Sequence, residues 1–325
     1  MRRREFIGGV AVTLLGAKDA AFSQALNKLP RVGVLVSASP PHPFAEAFEL
    51  GMRNLGYTEG QNIAFEIRYS EGRSDLAAAN AAELVGLKVD VMVAHFTQAT
   101  KAAMAATKTI PIVMAPAGAP LQMGFVDNLA HPGGNVTGLS AMDAEIGGRR
   151  LQLLRELIPN LNCVAVLATV PTADPYSGPF VEDLRSAATT AGVRLEPVLA
   201  SGPDEFDHAF AAMEAAKVQA VVVQPFFDPH RKVLLELAAK HGLGYLSGSQ
   251  DTTAAGGLVS ISANFSELYE RSAVYVDKIL KGAKPGDLPV SQPTKFLTVI
   301  NLKTAKALGM TISPTLIAQA DEVIE

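Results

Sequence analysis

What most constrains this chain is a repeated alternation of short apolar runs with helix-patterned segments. Val32-Gly-Val-Leu-Val36 is a continuous apolar run of the kind that forms a strand buried on both faces. Pro43 to Leu55 then places Phe44, Phe48, Met52 and Leu55 at helical spacing, and Gly56 closes that helix. Ile63, Phe65, Ile67 and Tyr69 alternate as a second strand. An Ala-rich helix follows over 76–87, a strand over 89–94, a helix over 97–106 and a strand over 110–114. Strands that alternate regularly with helices predict a parallel, doubly wound α/β sheet.

The turn-rich segment His131-Pro-Gly-Gly-Asn-Val-Thr-Gly138 interrupts this rhythm, and a second α/β series begins beyond it. Helices are expected over 145–157, 181–191, 205–216 and 230–240, with strands over 164–168, 195–199 and 220–224. No low-complexity linker separates the halves, so the pattern predicts two doubly wound parallel-sheet lobes joined by a hinge. Late elements follow: a strand over 258–261, and an amphipathic helix marked by Phe265, Leu268, Tyr269, Val276 and Leu280. A connector with Pro285, Pro289 and Pro293 leads to a strand over 296–301 and a helix over 302–308. These elements can add to either lobe, so the chain is expected to cross the hinge more than once.

Composition narrows the function. At 325 residues, 48% hydrophobic and 18% charged, the chain is too apolar for disorder and long enough for two cores. Twenty-eight basic residues balance 32 acidic ones with no basic stripe, which argues against a nucleic-acid partner. The single cysteine, Cys163, excludes an internal disulfide framework and lies in an apolar run typical of a core thiol. Arg2-Arg3-Arg4 followed by the apolar stretch Phe6 to Leu15 reads as an export signal over 1–23. That stretch is too short to span a bilayer, and Arg3-Arg4-Glu5-Phe6-Ile7 resembles a twin-arginine signal. The expected location is therefore the periplasm.

No P-loop, nucleophile elbow or zinc spacing occurs, and the six histidines are scattered. Polar Gly/Pro-rich loops at strand ends remain, where open α/β sheets bind ligands. The first lobe supplies Ser37 to Pro43 with Ser39, then His95-Phe-Thr-Gln-Ala-Thr100, and Ala115 to Pro120 with Ala117 and Gly118. A helix starting at Thr97 exposes amides that suit a carboxylate, with the Thr100 hydroxyl nearby; plain N-capping by Thr97 is the alternative. The second lobe supplies Thr169 to Ser177, then Gln224-Pro-Phe-Phe-Asp228, and Ser247 to Asp251. Phe226 and Phe227 either stack on a ligand or cover the core beneath their loop. Asp228 or Asp251 is available to pair with an amine.

Several stretches, in order, resemble the substrate-binding components of ABC transporters of the tryptophan/tyrosine type. They include Gly51-Met-Arg-Asn-Leu-Gly-Tyr57, Ile110-Pro-Ile-Val-Met114, Pro132-Gly-Gly-Asn-Val-Thr-Gly138 and Tyr275-Val-Asp-Lys-Ile-Leu-Lys-Gly-Ala-Lys-Pro285. Leu288 to Phe296 and Ile300 to Gly309 extend the likeness over nearly the whole chain. The resemblance implies a type I periplasmic-binding-protein fold. One lobe would take residues 30–137 plus about 255–283, the other 138–254 plus about 284–325. It also implies a non-enzymatic, monomeric receptor without cofactor that presents a small solute to a permease. The match of the 95–100 loop to the family's Gly-Thr-Pro-Ala-Thr motif marks Thr97, Ala99 and Thr100 as binding positions. Ala119 stands where the family carries an aspartate, so an aromatic acid without an α-amine is expected beside an aromatic amino acid. An exported enzyme on the same two-lobe fold is the competing class, and a ligand-sensing regulator a third.

Overall fold

The computed structural model describes residues 29–141 and 146–325; the expected export signal lies outside them. The first lobe holds β1 (Arg31–Val36), β2 (Ala64–Tyr69), β3 (Val91–Ala94), β4 (Ile112–Ala117) and β5 (Val136–Ser140). They form one parallel sheet in the order β2-β1-β3-β4-β5. The continuous apolar runs of β3 and β4 are wholly buried, as their composition demands. β2, expected to alternate, is an edge strand whose six residues are all half-buried.

Helix α1 (Pro43–Asn54) starts on Pro43, and the His42 Nδ1 cap accepts from the Phe44 amide. Phe44, Phe48 and Met52, one turn apart, bury against this sheet. Helices α2 (Ser74–Gly86) and α3 (Phe96–Ala106) cover the opposite face with a second core that includes Leu84, Ala99 and Ala103.

The second lobe begins with α4 (Gly147–Leu157). β6 (Cys163–Ala168), α5 (Ser177–Ala191), β7 (Arg194–Leu199), α6 (Phe206–Ala215) and β8 (Ala220–Val223) follow. Next come α7 (Arg231–Lys240), β9 (Gly244–Ser247), α8 (Gln250–Ala254) and β10 (Val259–Ala263). α9 (Phe265–Leu280), β11 (Phe296–Asn301), α10 (Leu302–Ala307), α11 (Pro314–Gln319) and β12 (Glu322–Ile324) complete the order. The second sheet runs β12-β11-β10-β9-β8-β6-β7, with β10 and β11 antiparallel and the other pairs parallel. One core lies under α4 and α5; the other, around Cys163, Phe206, Phe210 and Phe227, lies under α6 and α7.

The segment expected to join the first lobe, about 255–283, divides at Asn264. β10 pairs Val259 with Leu246 of β9 and with Ile300 of β11, which fixes it in the second sheet. α9, capped by the Asn264 side chain, then packs on α1 and the first sheet through Leu268, Ala273 and Val276. The first lobe keeps the chain as far as Ser291, whose amide donates to the Gly138 carbonyl and whose own carbonyl accepts from Ser140. The expected cut at 137 likewise falls inside β5. Three strands of chain therefore link the lobes, after β5, after β10 and before β11.

Candidate ligand site

α3 begins at Phe96, one residue earlier than the sequence pattern suggests, so Thr97 is not its cap. The Thr97 hydroxyl oxygen accepts from the Gly118 amide at 3.1 Å, tying the end of β4 to the first turn of α3. Thr100 Oγ1 donates to the Phe96 carbonyl at 2.9 Å. The cap position, His95, makes no side-chain capping bond, and no acidic residue lies in the first turn. The Thr97 and Gln98 amides lack a carbonyl four residues back in the helix, leaving an uncapped positive helix end. Phe96 sits at φ 64, a left-handed conformation that a bulky residue adopts only under strain. Its ring is held against His95, with centroids 4.0 Å apart, and edge-on to Phe265 at 5.7 Å.

Beneath this turn lies an aromatic cluster. His95 is fully buried, stacks on Phe44 at 4.7 Å and meets His42 edge-on at 4.8 Å. Its Nε2 lies 3.3 Å from the Tyr269 hydroxyl. Burial, with a smaller push from His42, holds the His95 imidazole well below its ordinary range, and burial lowers His42 as well. Both rings are therefore harder to protonate in the fold than in the unfolded chain, which takes up protons below about pH 6.5. Stability from this source is complete above that pH and falls as pH drops. The melting temperature should decline between pH 7 and pH 5, before the carboxylates titrate, and His95→Phe should shrink that decline. An unchanged pH profile in the variant would show that the buried imidazole does not control it.

The second lobe faces this turn with the loop between β6 and α5, organised by the buried Gln224. Gln224 Oε1 accepts from the Thr169 amide at 2.9 Å and the Ser177 hydroxyl at 3.1 Å. Its Nε2 donates to Asp174 Oδ2 at 2.8 Å, while Asp174 Oδ1 accepts from the Tyr176 amide at 3.0 Å. Burial raises the Asp174 pKa, opposed by these two bonds and by the Lys101 ammonium on α3. The Tyr176 ring closes on the first lobe: a Cβ at Gly118 would lie 2.9 Å from it. Ala119 is buried in the second lobe's core beside the same tyrosine.

The structure thus ties Thr97 to Gly118 in the first lobe and Thr169 to Gln224 in the second, with Tyr176 of the second lobe set against Gly118, while Thr100, His95 and Phe96 lie at the start of α3. Other expected contacts lie elsewhere. Ser37 donates to the His95 carbonyl at 2.7 Å, and Ser39 is exposed. Ala99 and Ala117 are core residues. Phe227 is fully buried under α6 and α7, edge-on to Phe206 at 5.2 Å, and half-buried Phe226 packs on the same core. Phe227 therefore covers the core, and Phe226 packs on its rim. Asp228 accepts from the Thr252 hydroxyl at 3.4 Å, while Asp251 is exposed on α8. Sequence reasoning reached the 169–177 loop but not Asp174, Tyr176 or Ser177 within it; the Asp-Pro pair just before a helix was the available signal. Among the described residues no cluster of three or more His, Cys, Asp or Glu could hold a metal ion.

The family described as ABC transporter substrate binding protein matches residues 32–324. The chain belongs to this family. Its relatives include a tyrosine-binding protein of Clostridioides difficile, 24% identical over 85% of this chain and 80% of that protein. An ABC domain from Streptococcus pneumoniae, solved in complex with L-Trp, superposes with a TM-score of 0.84 at 26% identity. That likeness covers 91% of this chain and all of the other. A leucine-binding protein from Thermotoga maritima, 15% identical with a TM-score of 0.59 over 79% of this chain and 77% of its own, shares the fold. This ABC substrate-binding protein accordingly has the type I periplasmic-binding-protein architecture. Among its described residues no helix is long and apolar enough to cross a membrane.

Proposed function

We propose that this substrate-binding protein is the extracytoplasmic receptor of an ABC importer, taking a small aromatic carboxylate into the interlobe cleft. The observation that carries the reading is the uncapped start of α3, set beside Gly118 and opposite the Asp174–Ser177 loop. Two free amides at the positive end of a helix suit a carboxylate. Phe96, Phe265 and Tyr269, grouped beside that turn, suit an aromatic body. The relatives associated with tyrosine and L-Trp support the same solute class. Binding draws the lobes together about their three connecting strands, and the closed monomer presents the solute to a permease.

A thermal-shift panel on the purified chain tests this, using tyrosine, tryptophan, phenylalanine, benzoate and leucine. A ligand at 100 times its Kd stabilises a protein by about 2.7 kcal/mol, enough to raise the melting temperature visibly. The aromatic carboxylates should shift it and leucine should not. A response confined to leucine, or none at all, would rule out the aromatic assignment.

A further inference from the structure

One turn of the first lobe belongs, by its packing, to the second. Ala119 is buried, and every other buried residue of the core it joins lies between Ile146 and Leu316. Half-buried Met123 packs on that same core and also on the first lobe's core beneath α2 and α3. The turn is stiff. The Ala119 carbonyl accepts from the Met123 amide at 2.9 Å, Pro120 from Phe125 at 2.9 Å and Leu121 from Gly124 at 3.0 Å. Phe125 and Val126 bury in the first lobe, and the Gly118 amide is tied to Thr97, so both ends are anchored there. Ala119 holds φ 45, a left-handed conformation that an alanine keeps only where its surroundings impose it. Tyr176 meets this turn from the second lobe. A Cβ at Gly118 would have three Tyr176 ring atoms as its nearest neighbours, at 2.9, 3.1 and 3.1 Å. The ring is itself buried and packs on Phe180 with centroids 5.9 Å apart. Gly118 has no left-handed φ, so the backbone does not require glycine there; the approach of Tyr176 does.

We infer that residues 118–123 form an apolar latch, seated against Tyr176, that holds the two lobes closed through protein–protein contact. The inference rests on the hinge-closing receptor proposed above, though not on which solute it takes. Apolar surface buried between the lobes favours the closed arrangement whatever the cleft contains. A solute then enters only when the latch opens, and once inside it is retained by the latch as well as by its own contacts. Gly118, Ala119 and Tyr176 are positioning residues in this scheme. They set how fast solute enters and leaves by acting on the lobes rather than on the solute.

Small-angle X-ray scattering of the purified chain tests the latch. With no solute added, wild type should scatter as the compact, closed pair of lobes. Gly118→Ala should open it, shifting the closed-to-open ratio by about 5- to 100-fold, the effect of an overpacked contact. Tyr176→Ala removes both the contact and the clash, so adding Gly118→Ala to it should change nothing further. That non-additivity separates a latch from a general loss of stability. Saturating L-tryptophan should close Gly118→Ala again. The chain itself contains no tryptophan, so the fluorescence of bound L-tryptophan times its release, which should be at least about 5-fold faster from Gly118→Ala than from wild type. Expanded wild type, or equal scattering from wild type and Gly118→Ala, overturns the latch. The receptor reading then stands where tryptophan compacts wild type, and falls with the latch where it does not. A compact wild type and an expanded Gly118→Ala that ignores tryptophan support the latch and overturn tryptophan as the solute.

Discussion

Gly138→Ala is expected to lower the stability of the chain by about 3 kcal/mol or more. Gly138 lies in β5 at φ 125, a region closed to residues with a Cβ, so substitution strains the backbone whatever the surrounding space. There is no space either. A Cβ there would overlap the carbonyl oxygen and amide nitrogen of Met114, which are backbone atoms of β4 and cannot swing aside. β4 can escape only by shifting, and its register with β5 already changes between Met114 and Ala117. Because β4 ends at Ala117, just before Gly118, whose amide donates to the Thr97 hydroxyl, the damage should reach the cleft and weaken ligand binding too. Urea unfolding of Gly138→Ala beside Gly134→Ala makes the comparison, since nothing lies within 4 Å of a Cβ at Gly134. Loss of less than about 1 kcal/mol in Gly138→Ala would show that β4 yields easily.

Phe227→Ala should cost about 3–5 kcal/mol of stability and leave ligand affinity unchanged. The ring is fully buried between β8 and the α6–α7 layer, so truncation leaves a cavity that Phe206 cannot fill without leaving its own site. The measurement pairs denaturant unfolding with ligand titration on the same preparation. A variant that keeps its stability but loses ligand would place this ring in the cleft. Phe226→Ala, with a half-buried ring on the rim of the same core, should lose less.

The contrast between these phenylalanines and Asp174 shows what periodicity conveys and what it cannot. Strands and helices came through clearly because apolar residues recur at fixed intervals, and Phe44, Phe48 and Met52 of α1 bury as their spacing requires. Loops carry no such interval. The 224–228 and 169–177 loops were both recognisable as rims of the sheet, yet nothing local told which side chains turn inward. Phe227 lies under α6 with the 3-10 turn at Pro225–His230, and Asp174 is fixed by Gln224, 50 residues away. The sheet membership of β10 was hidden for the same reason. Its partners Leu246 and Ile300 lie in other segments, and its own sequence fits either lobe.

The discontinuity of the first lobe bears on the order of events during synthesis. Domains commonly fold from the N-terminus as the ribosome releases them. Here the face of the first sheet that carries Phe44 and Phe48 has no complete cover until α9 emerges, and β5 lacks its clamp until Ser291 follows. The second lobe also waits, for β11 and β12. The first lobe can close only after Ser291 emerges and the second only after β12, so the nascent polypeptide stays open along most of its length and consolidates late.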